Sequence, residues 1–134
     1  MQTGSNALHL AAFDGRLAAV KQLLEWDPKL VDARTKSGWW GPGATPFIYA
    51  AVNGHVEVLK VLYAKGGEDL LTQTDKFGRT ALHKAVSYSR SAVVSLLLEW
   101  GGSALLDIKD KIGKTPWDEA ASKPEIREIM VKYK

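Results

Sequence analysis

The residues best suited to metal or acid–base chemistry in this sequence are its three histidines, His9, His55 and His83. A zinc ion needs three or four protein ligands that converge within a few ångströms. The sequence contains no cysteine, and none of the histidines has a second histidine at a metal-binding spacing. We therefore interpret all three histidines as structural and predict no metal site.

Motifs for nucleophilic catalysis and for phosphate binding do not occur in the sequence. A reactive serine requires an oriented base beside it, and the G-x-S-x-G turn that displays such a serine is missing. Neither G-x-x-x-x-G-K-[ST] nor G-x-G-x-x-G is present. Asp75 and Asp110 each begin an Asp-Lys-x-Gly segment, which is typical of a tight turn. The sequence predicts no catalytic residue and no cofactor.

Two adjacent tryptophans lie between glycines and a proline in residues 36–46, KSGWWGPGATP. Tryptophan is enriched among the residues that dominate binding energy at protein interfaces. One interpretation is that Trp39 and Trp40 are displayed to a partner. The other is that one or both fold back onto Phe47, Tyr49 or the first helical unit. We expect one indole to hold the loop in place and the other to be presented.

Composition restricts the class of protein. The chain has 134 residues, of which 46% are apolar and 25% are charged, which is enough for one domain with a core. No apolar run approaches the ~18 residues of a membrane span, and the first residues lack the charged-then-apolar order of a signal peptide. The absence of cysteine predicts an intracellular protein of the cytoplasm or nucleus. The net charge of +3 permits an acidic partner without indicating nucleic acid.

An internal repeat supplies the elements that must position these residues. Four segments align: NALHLAAFDG from Asn6, TPFIYAAVNG from Thr45, TALHKAVSYS from Thr80 and TPWDEAASKP from Thr115. A second series follows the first three of them, namely RLAAVKQLLEW, HVEVLKVLYAK and RSAVVSLLLEW. Apolar residues recur at helical spacing in both series, which predicts two short helices per unit. These faces are too apolar for a lone helix pair, so each unit must be buried by its neighbour.

Signals for helix ends recur with the same period. The threonines that lead three segments suit N-caps, and Pro46 suits a first helical turn. Gly15 and Gly54 are placed to end the first helix in a left-handed turn. Trp26 and Trp100 recur at the ends of second helices. We interpret both of these tryptophans as structural, each lying across the start of the next connection.

The pattern T-[AP]-L-H-x-A-x, followed by a turn glycine and a Val- and Leu-rich second helix, resembles the ankyrin repeat. The resemblance covers essentially the whole chain, with Trp117 and Asp118 replacing Leu-His in a degenerate last unit that fits a cap. It implies an all-α solenoid of stacked helix-turn-helix units with projecting β-hairpin fingers. As a single domain, the chain then divides into about four units, spanning residues 5–35, 36–74, 75–109 and 110–134.

The resemblance also implies a concave surface, lined by first helices and finger tips, that usually binds other proteins. In that geometry Phe13, Val52 and Tyr88 face solvent and form an apolar strip along the groove, and the tryptophans of the first finger are the anchor. The expected partner-binding residues are Phe13, Asp14, Trp39, Trp40, Val52, Asn53, Lys76, Phe77, Arg79, Ser87, Tyr88, Lys111, Ile112 and Lys114.

Positive charge is concentrated on the expected fingers at Lys76, Arg79, Lys109, Lys111 and Lys114. A basic row that also carries apolar side chains suits an acidic protein segment with apolar anchors. The plain alternative is that these lysines only keep the array soluble. Nucleic acid is a weaker alternative, because the sequence has no recognised reading element.

We interpret the protein as a non-catalytic protein-interaction module that is monomeric when alone. The alternative is a structural scaffold or spacer, or a fragment of a larger repeat array. An assembly-chaperone role is compatible with a small basic array, although no residue singles it out.

Overall fold

Residues 7–36 and 42–134 are described by a computed structural model, and helices dominate both ranges. Two 3-10 helices, Pro28–Asp32 and Gly102–Asp107, follow the second and seventh α-helices. The α-helices within the two ranges are, in chain order, α1 (Ala7–Asp14), α2 (Leu17–Trp26), α3 (Pro46–Val52), α4 (Val56–Gly66), α5 (Asp69–Thr72), α6 (Ala81–Ser87), α7 (Ser91–Gly101), α8 (Pro116–Glu119) and α9 (Pro124–Val131).

Threonine caps start α3, α6 and α8. The Thr45 hydroxyl accepts a hydrogen bond from the Ile48 backbone N–H at 3.2 Å. Thr80 and Thr115 form complete capping boxes with the side chains of His83 and Asp118. Each cap satisfies a backbone N–H that the helix itself leaves without a partner. The helix starts predicted at these three threonines are confirmed.

A residue in the left-handed region separates the two helices of each of the first three pairs. The φ angle is 73° at Gly15, 77° at Gly54 and 58° at Ser89. Glycine adopts this region without a steric penalty, whereas a residue with a Cβ does so at a cost. The turns predicted at the two glycines are confirmed, and Ser89 takes the same conformation although it is not glycine.

The helices pack in two layers. The inner layer contains α1, α3, α6 and α8, each against the next, and the outer layer contains α2, α4, α7 and α9 in the same order. Alanines on the inner helices, such as Ala12, Ala50 and Ala85, are fully buried and let the backbones approach closely. The all-α stack of helix pairs predicted from the sequence is confirmed. Every helix in the described ranges is too short or too polar to cross a bilayer.

The core runs continuously through the stack and is deepest at the second pair. All seven residues of α3 are buried, and Phe47 and Ile48 have no exposed surface. Leu59 and Leu62 of α4 close the same layer from the outer side. A unit with a neighbour on both sides buries both of its faces, which is how a repeat array forms a core.

The fingers differ from the β-hairpins implied by the resemblance, because residues 7–36 and 42–134 contain no β-strand. The second and third fingers, at Asp75 and Asp110, are tight turns instead. The Asp75 backbone N–H donates to Arg79 O at 3.0 Å, and the Asp110 N–H donates to Lys114 O at 2.8 Å. The carboxylate of each aspartate accepts further N–H groups of its own turn, so too few backbone groups remain for a strand ladder.

The two recurring tryptophans have different environments. The Trp100 ring stacks on Tyr63 of the preceding helix pair, with centroids 4.0 Å apart and an interplanar angle of 3°. It therefore packs backwards onto α4, and the prediction that it lies across the next connection is wrong. Trp26 is 73% exposed, so the prediction that it is structural is also wrong. The reason is that no described helix pair precedes α1 and α2 to supply the ring that Tyr63 supplies to Trp100.

Candidate interaction surface

The exposed turns of the second and third connections form a row that we call the tip row, comprising Lys76, Phe77, Lys111, Ile112 and Lys114. The Phe77 and Ile112 side chains occupy the same position in successive turns and are 53% and 79% exposed. Neighbouring turns are joined through the backbone, since the Lys111 N–H donates to Phe77 O at 2.9 Å. The row thus presents apolar side chains from a fixed backbone.

The acidic residues of these turns point away from solvent. The Asp75 carboxylate is 0% exposed and accepts hydrogen bonds from the Phe77 and Arg79 backbone N–H groups. Its other oxygen lies 3.5 Å from Lys84 Nζ, which is itself only 9% exposed. Burial lowers the pKa of Lys84 below its usual range, and the charge of Asp75 opposes that shift. This buried ion pair was not predicted from the sequence, because both residues look like ordinary surface residues.

Arg79 belongs to an ion-pair network rather than to the free positive charge of the tip row. Its guanidinium lies 3.9 Å from the Asp110 carboxylate and 3.1 Å from that of Glu119. It also donates to the Ser87 hydroxyl at 3.0 Å, and Ser87 donates to Glu119 at 2.9 Å. Arg79 and Ser87, both expected to contact a partner, therefore already hold the third and fourth units together.

The three lysines are the charged residues of the tip row that remain accessible to solvent. Lys76, Lys111 and Lys114 are exposed, and none of them forms an ion pair with the described residues. Asp75 and Asp110 are buried beneath the row, so Lys76 and Lys111 keep its outer surface positive and apolar, whereas Lys114 lies near the exposed Asp118. Such a surface raises the local concentration of acidic ligands.

The groove beside the tip row retains part of the predicted apolar strip. Phe13 is partly buried and lies edge-on to Tyr49, with ring centroids 6.2 Å apart. Tyr88 is 40% exposed and Asp14 is also exposed. Val52 is only 2% exposed, so the prediction that it faces solvent is wrong. Its helix, α3, is covered by α1 on one side and α6 on the other.

Asn53 links its own unit to both neighbouring units at the edge of the groove. Its side-chain amide donates to Phe13 O at 2.8 Å, and its carbonyl oxygen accepts from Arg90 at 3.4 Å. The His55 ring nitrogen Nε2 also lies 2.8 Å from Phe13 O. Sequence reasoning missed these bonds between units, because they depend on which side chains face the preceding pair.

Trp39 and Trp40 lie outside the described residues, and their predicted role stays a prediction. The base of their connection is described. Gly43 N–H donates to Thr35 O at 2.7 Å, and the Arg34 guanidinium donates to Thr74 O at 2.7 Å. Pro42 O accepts from the Lys76 N–H at 2.9 Å. The first connection is thereby joined to the next turn in the way that the two later turns are joined to each other.

Histidines bridge successive units, which agrees with their structural interpretation. His9 Nε2 lies 2.9 Å from Ala44 O, and His83 Nε2 lies 3.0 Å from Lys114 O. A carbonyl only accepts, so Nε2 carries the proton in each ring. His83 Nδ1 then accepts from the Thr80 N–H at 3.1 Å, which requires a neutral ring. Burial lowers the pKa of His9 and His83 below the ordinary 6.5.

Stability is expected to fall on acidification through the histidine range. Between the ordinary pKa of 6.5 and the lowered folded-state pKa of His9 and His83, the unfolded chain binds protons that the folded chain does not. The stability that the two neutral histidines contribute is therefore fully present above pH 6.5, and it is lost as the pH falls through their folded-state pKa values. Urea unfolding at several pH values between about 8 and 5 measures this slope.

The matched control for this pH dependence is the double variant His9→Gln/His83→Gln, which should have a flatter pH profile whatever its absolute stability. Asp118 does not interfere, since its pKa is lowered from 3.8, chiefly by the Thr115 backbone N–H, and it titrates in a more acidic range. An equal slope in wild type and double variant would contradict the assignment.

Clusters of three or more residues able to hold a metal ion do not occur in the described part of the chain. Comparison with known protein families then identifies the architecture. Residues 3–36 match the family model described as ankyrin repeat, and residues 47–98 match the model described as ankyrin repeats (many copies). The chain belongs to the ankyrin repeat family. Ankyrin repeats are generally protein-interaction modules.

Several curated relatives contain a region similar to this chain. The chain is 32% identical over 89 residues, 66% of its length, to NAD-capped RNA hydrolase NUDT12 of Homo sapiens, of which it covers 18%. It is 34% identical over 93 residues, 69% of its length, to the probable E3 ubiquitin-protein ligase XBOS31 of Oryza sativa subsp. japonica, of which it covers 19%. Ankyrin repeat and SAM domain-containing protein 6 of Mus musculus is 33% identical over 84 residues, 63% of this chain and 9% of that protein. The chain thus spans less than a fifth of these relatives.

Proposed function

We propose that this ankyrin repeat chain is a non-catalytic module that binds another protein through its tip row and the adjoining concave face. The partner segment is acidic and carries apolar anchors. The observation that supports this proposal best is the pairing of exposed Phe77 and Ile112 with lysines whose neighbouring aspartates are buried. The Trp39–Trp40 finger, which leads the same row in sequence, is proposed as the strongest anchor.

Apolar burial supplies the energy in this proposal. Full burial of a Phe or Ile side chain contributes about 1.5–3 kcal/mol, and Phe77 and Ile112 are the most exposed apolar side chains of the described turns. The partly exposed Tyr88 adds an amphipathic contact within the groove. An apolar centre with a charged rim is the usual composition of a non-obligate interface.

The charge of the tip row supplies selectivity and rate. Lys76, Lys111 and Lys114 lie beside the apolar side chains and are free of ion pairs with the described residues. Positive charge of this kind accelerates association with an acidic segment and disfavours a basic one. Binding should therefore weaken as the salt concentration rises, because exposed charges are screened.

Selection from a random peptide display library tests the proposal directly, because the library offers the tip row many candidate segments at once. We expect enriched peptides that place Asp or Glu beside aromatic or aliphatic residues. The affinity of an enriched peptide, measured by fluorescence anisotropy, should fall by about 2 kcal/mol or more for Phe77→Ala/Ile112→Ala. The matched control is Trp26→Ala/Val131→Ala, which removes two exposed apolar side chains away from the row. It is measured with a single-site peptide and dilute protein, so that contacts between copies of the chain do not contribute. Equal losses for both double variants, or no enrichment, would refute the proposal.

Charge reversal separates the electrostatic contribution. Lys76→Glu/Lys111→Glu should weaken the same peptide and reduce the salt dependence of binding. Lys21→Glu/Lys65→Glu makes the same net change on second-helix positions away from the row and should have little effect. If both pairs weaken binding equally, the lysines act only through net charge, and the proposed site is wrong.

The first finger is tested by Trp39→Ala/Trp40→Ala. As an anchor, this pair should contribute about 2–4 kcal/mol of affinity, while the thermal midpoint changes little. A large drop in the midpoint with unchanged peptide affinity would show that the pair is structural. That outcome would leave a tip row anchored by Phe77 and Ile112.

A further inference from the structure

The side of the first helix pair that faces away from the second pair forms a surface that we call the N-terminal face, comprising Leu10, Arg16 and Trp26. The Leu10 and Trp26 side chains are 47% and 73% exposed. The Arg16 side chain is 74% exposed, and its ion pair within the described ranges is a long one to Asp14, at 4.0 Å. Each of these residues has a counterpart in at least one later unit that contacts the preceding pair.

Trp26 occupies the same repeat position as Trp100. Counted from the N-cap residues of their helices, Arg16 for α2 and Arg90 for α7, the two tryptophans coincide. Trp100 stacks on Tyr63 of the preceding pair at 4.0 Å. In α7 this position places an aromatic ring against the preceding unit, in α4 it holds the exposed Lys65, and in the first pair its ring is exposed to solvent.

Leu10 corresponds to Tyr49 of the second pair. Tyr49 packs edge-on against His9 and Phe13 of the first pair, with centroids 5.0 and 6.2 Å away. The N-terminal face thus presents a second apolar side chain at a position that contacts the preceding pair elsewhere in the stack.

Arg16 occupies the first position of a series of N-cap residues whose later members form side-chain hydrogen bonds to the preceding unit. His55 Nε2 lies 2.8 Å from Phe13 O, Arg90 Nε donates to Val52 O at 2.9 Å, and Lys123 Nζ donates to Ser87 O at 3.0 Å. Every later member of the series bonds a carbonyl of the unit before it. Together with Trp26 and Leu10, Arg16 makes this face equivalent to a stacking interface inside the protein.

The opposite end of the stack exposes the complementary position. The side chains of Arg90 and Lys123 donate to carbonyls at equivalent positions of the preceding units, so positions in α9 are counted from Lys123. Val131 then follows Lys123 at the spacing with which Tyr63 follows His55, and it is 58% exposed. Alignment from the leading threonines would have placed Tyr133 at this position. The shorter α8, four residues against seven in α6, shifts the register.

The charged residues directly beside Trp26 and Val131 are of opposite sign, although the N-terminal face also carries Arg16. The exposed Glu25 and Asp27 flank Trp26, and the exposed Lys132 and Lys134 follow Val131. Opposite charges beside two apolar side chains favour one orientation of contact and disfavour contact between two identical ends.

We propose that copies of this chain associate head to tail, with Val131 of one copy packed against Trp26 of the next. The contact continues the internal stack, since it repeats the placement of Tyr63 against Trp100. It is heterologous, so each added copy leaves the same two ends free. This association differs from the monomer expected from the sequence. The alignment of Val131 with Tyr63, on which it depends, follows from the contacts of α9 and could not be read from the sequence. The association does not depend on the proposed function of the tip row.

Sedimentation velocity of the full chain from micromolar to millimolar concentration tests the association. The mean molar mass of wild type should rise with concentration. Trp26→Ala and Val131→Lys should each weaken association by about tenfold or more, with unchanged thermal midpoints because both side chains are exposed. A wild type that is monomeric throughout, or variants that associate like wild type, would overturn the proposal.

Cross-linking determines the orientation, and the lack of native cysteine makes it direct. A short bismaleimide is added to a mixture of Trp26→Cys and Val131→Cys chains that differ in mass through a tag. Mixed dimers should predominate over either homodimer. Ala64→Cys, at an exposed site on α4, gives the background rate. Predominant Trp26→Cys homodimers would indicate face-to-face pairing, and background rates throughout would indicate no pairing, so either result overturns the proposal.

Discussion

Replacement of Phe47 by alanine is expected to lower the free energy of unfolding by about 3–5 kcal/mol, the range for truncation of a buried aromatic side chain. Phe47 has no exposed surface and lies in α3, all of whose residues are buried. Its ring also lies 6.4 Å from that of Trp100, so the truncation opens a cavity between two units. Neighbouring helices cannot close that space without losing their contacts with α3. Urea unfolding followed by circular dichroism measures the change.

Phe77→Ala is the matched control for Phe47→Ala, because the same atoms are removed from a side chain that is 53% exposed. We expect a change of about 0.5 kcal/mol or less, as for most surface substitutions. Comparison of the two variants distinguishes a phenylalanine that stabilises the core from one that is displayed at a turn. A similar loss of stability in both variants would mean that Phe77 is packed, and it would remove a central part of the proposed binding surface.

Asp75→Asn is expected to destabilise the fold by about 3 kcal/mol, because it leaves the buried ammonium of Lys84 without its counter-charge. The side-chain oxygen that accepts from the Phe77 and Arg79 N–H groups is retained in asparagine. The turn should therefore persist while the charge is lost. The separation of 3.5 Å between Lys84 Nζ and Asp75 Oδ2, with both side chains at 9% exposure or less, places the pair inside the protein. Thermal and urea unfolding both report the effect.

Two further variants isolate the ion pair. Asp110→Asn makes the same change in the equivalent turn, where Arg79 retains Glu119 at 3.1 Å, and should cost less. Lys84→Met added to Asp75→Asn should recover much of the loss, since it removes the unpaired charge and keeps the volume. If Asp110→Asn costs as much as Asp75→Asn, or if the methionine gives no recovery, the penalty comes from the turn and not from the buried charge.

Much of the fold follows from local signals. Threonine caps, turn glycines and apolar residues at helical spacing act within a few residues of each other, so they can be recognised in one sequence. Thr80 and Gly54 are examples, and both take the predicted conformations. The structural role of His9 and His83 was also recognisable, and the structure shows that both bridge to the next unit from one repeat position.

Features that depend on a neighbouring unit were harder to predict. Trp26 and Trp100 have the same local sequence, and only the presence of Tyr63 in the preceding pair distinguishes a stacked ring from an exposed one. Val52 follows an Ala-Ala pair like Phe13, yet its helix is covered on both sides, by α1 and by α6. Lys84 resembles a surface lysine until Asp75 is placed beside it. In each case a contact over long sequence distance overrides the local pattern.

The turns are tied to each other by main-chain bonds, from Lys76 N–H to Pro42 O and from Lys111 N–H to Phe77 O. Substitution of an outward-facing side chain leaves these bonds intact, so the pitch of the turns does not depend on which residues they display. The backbone therefore fixes the spacing between the turns, and the side chains that the turns display can be exchanged. New ligand preferences can be introduced by substitutions at positions 77 and 112 while the distance between these two positions stays the same.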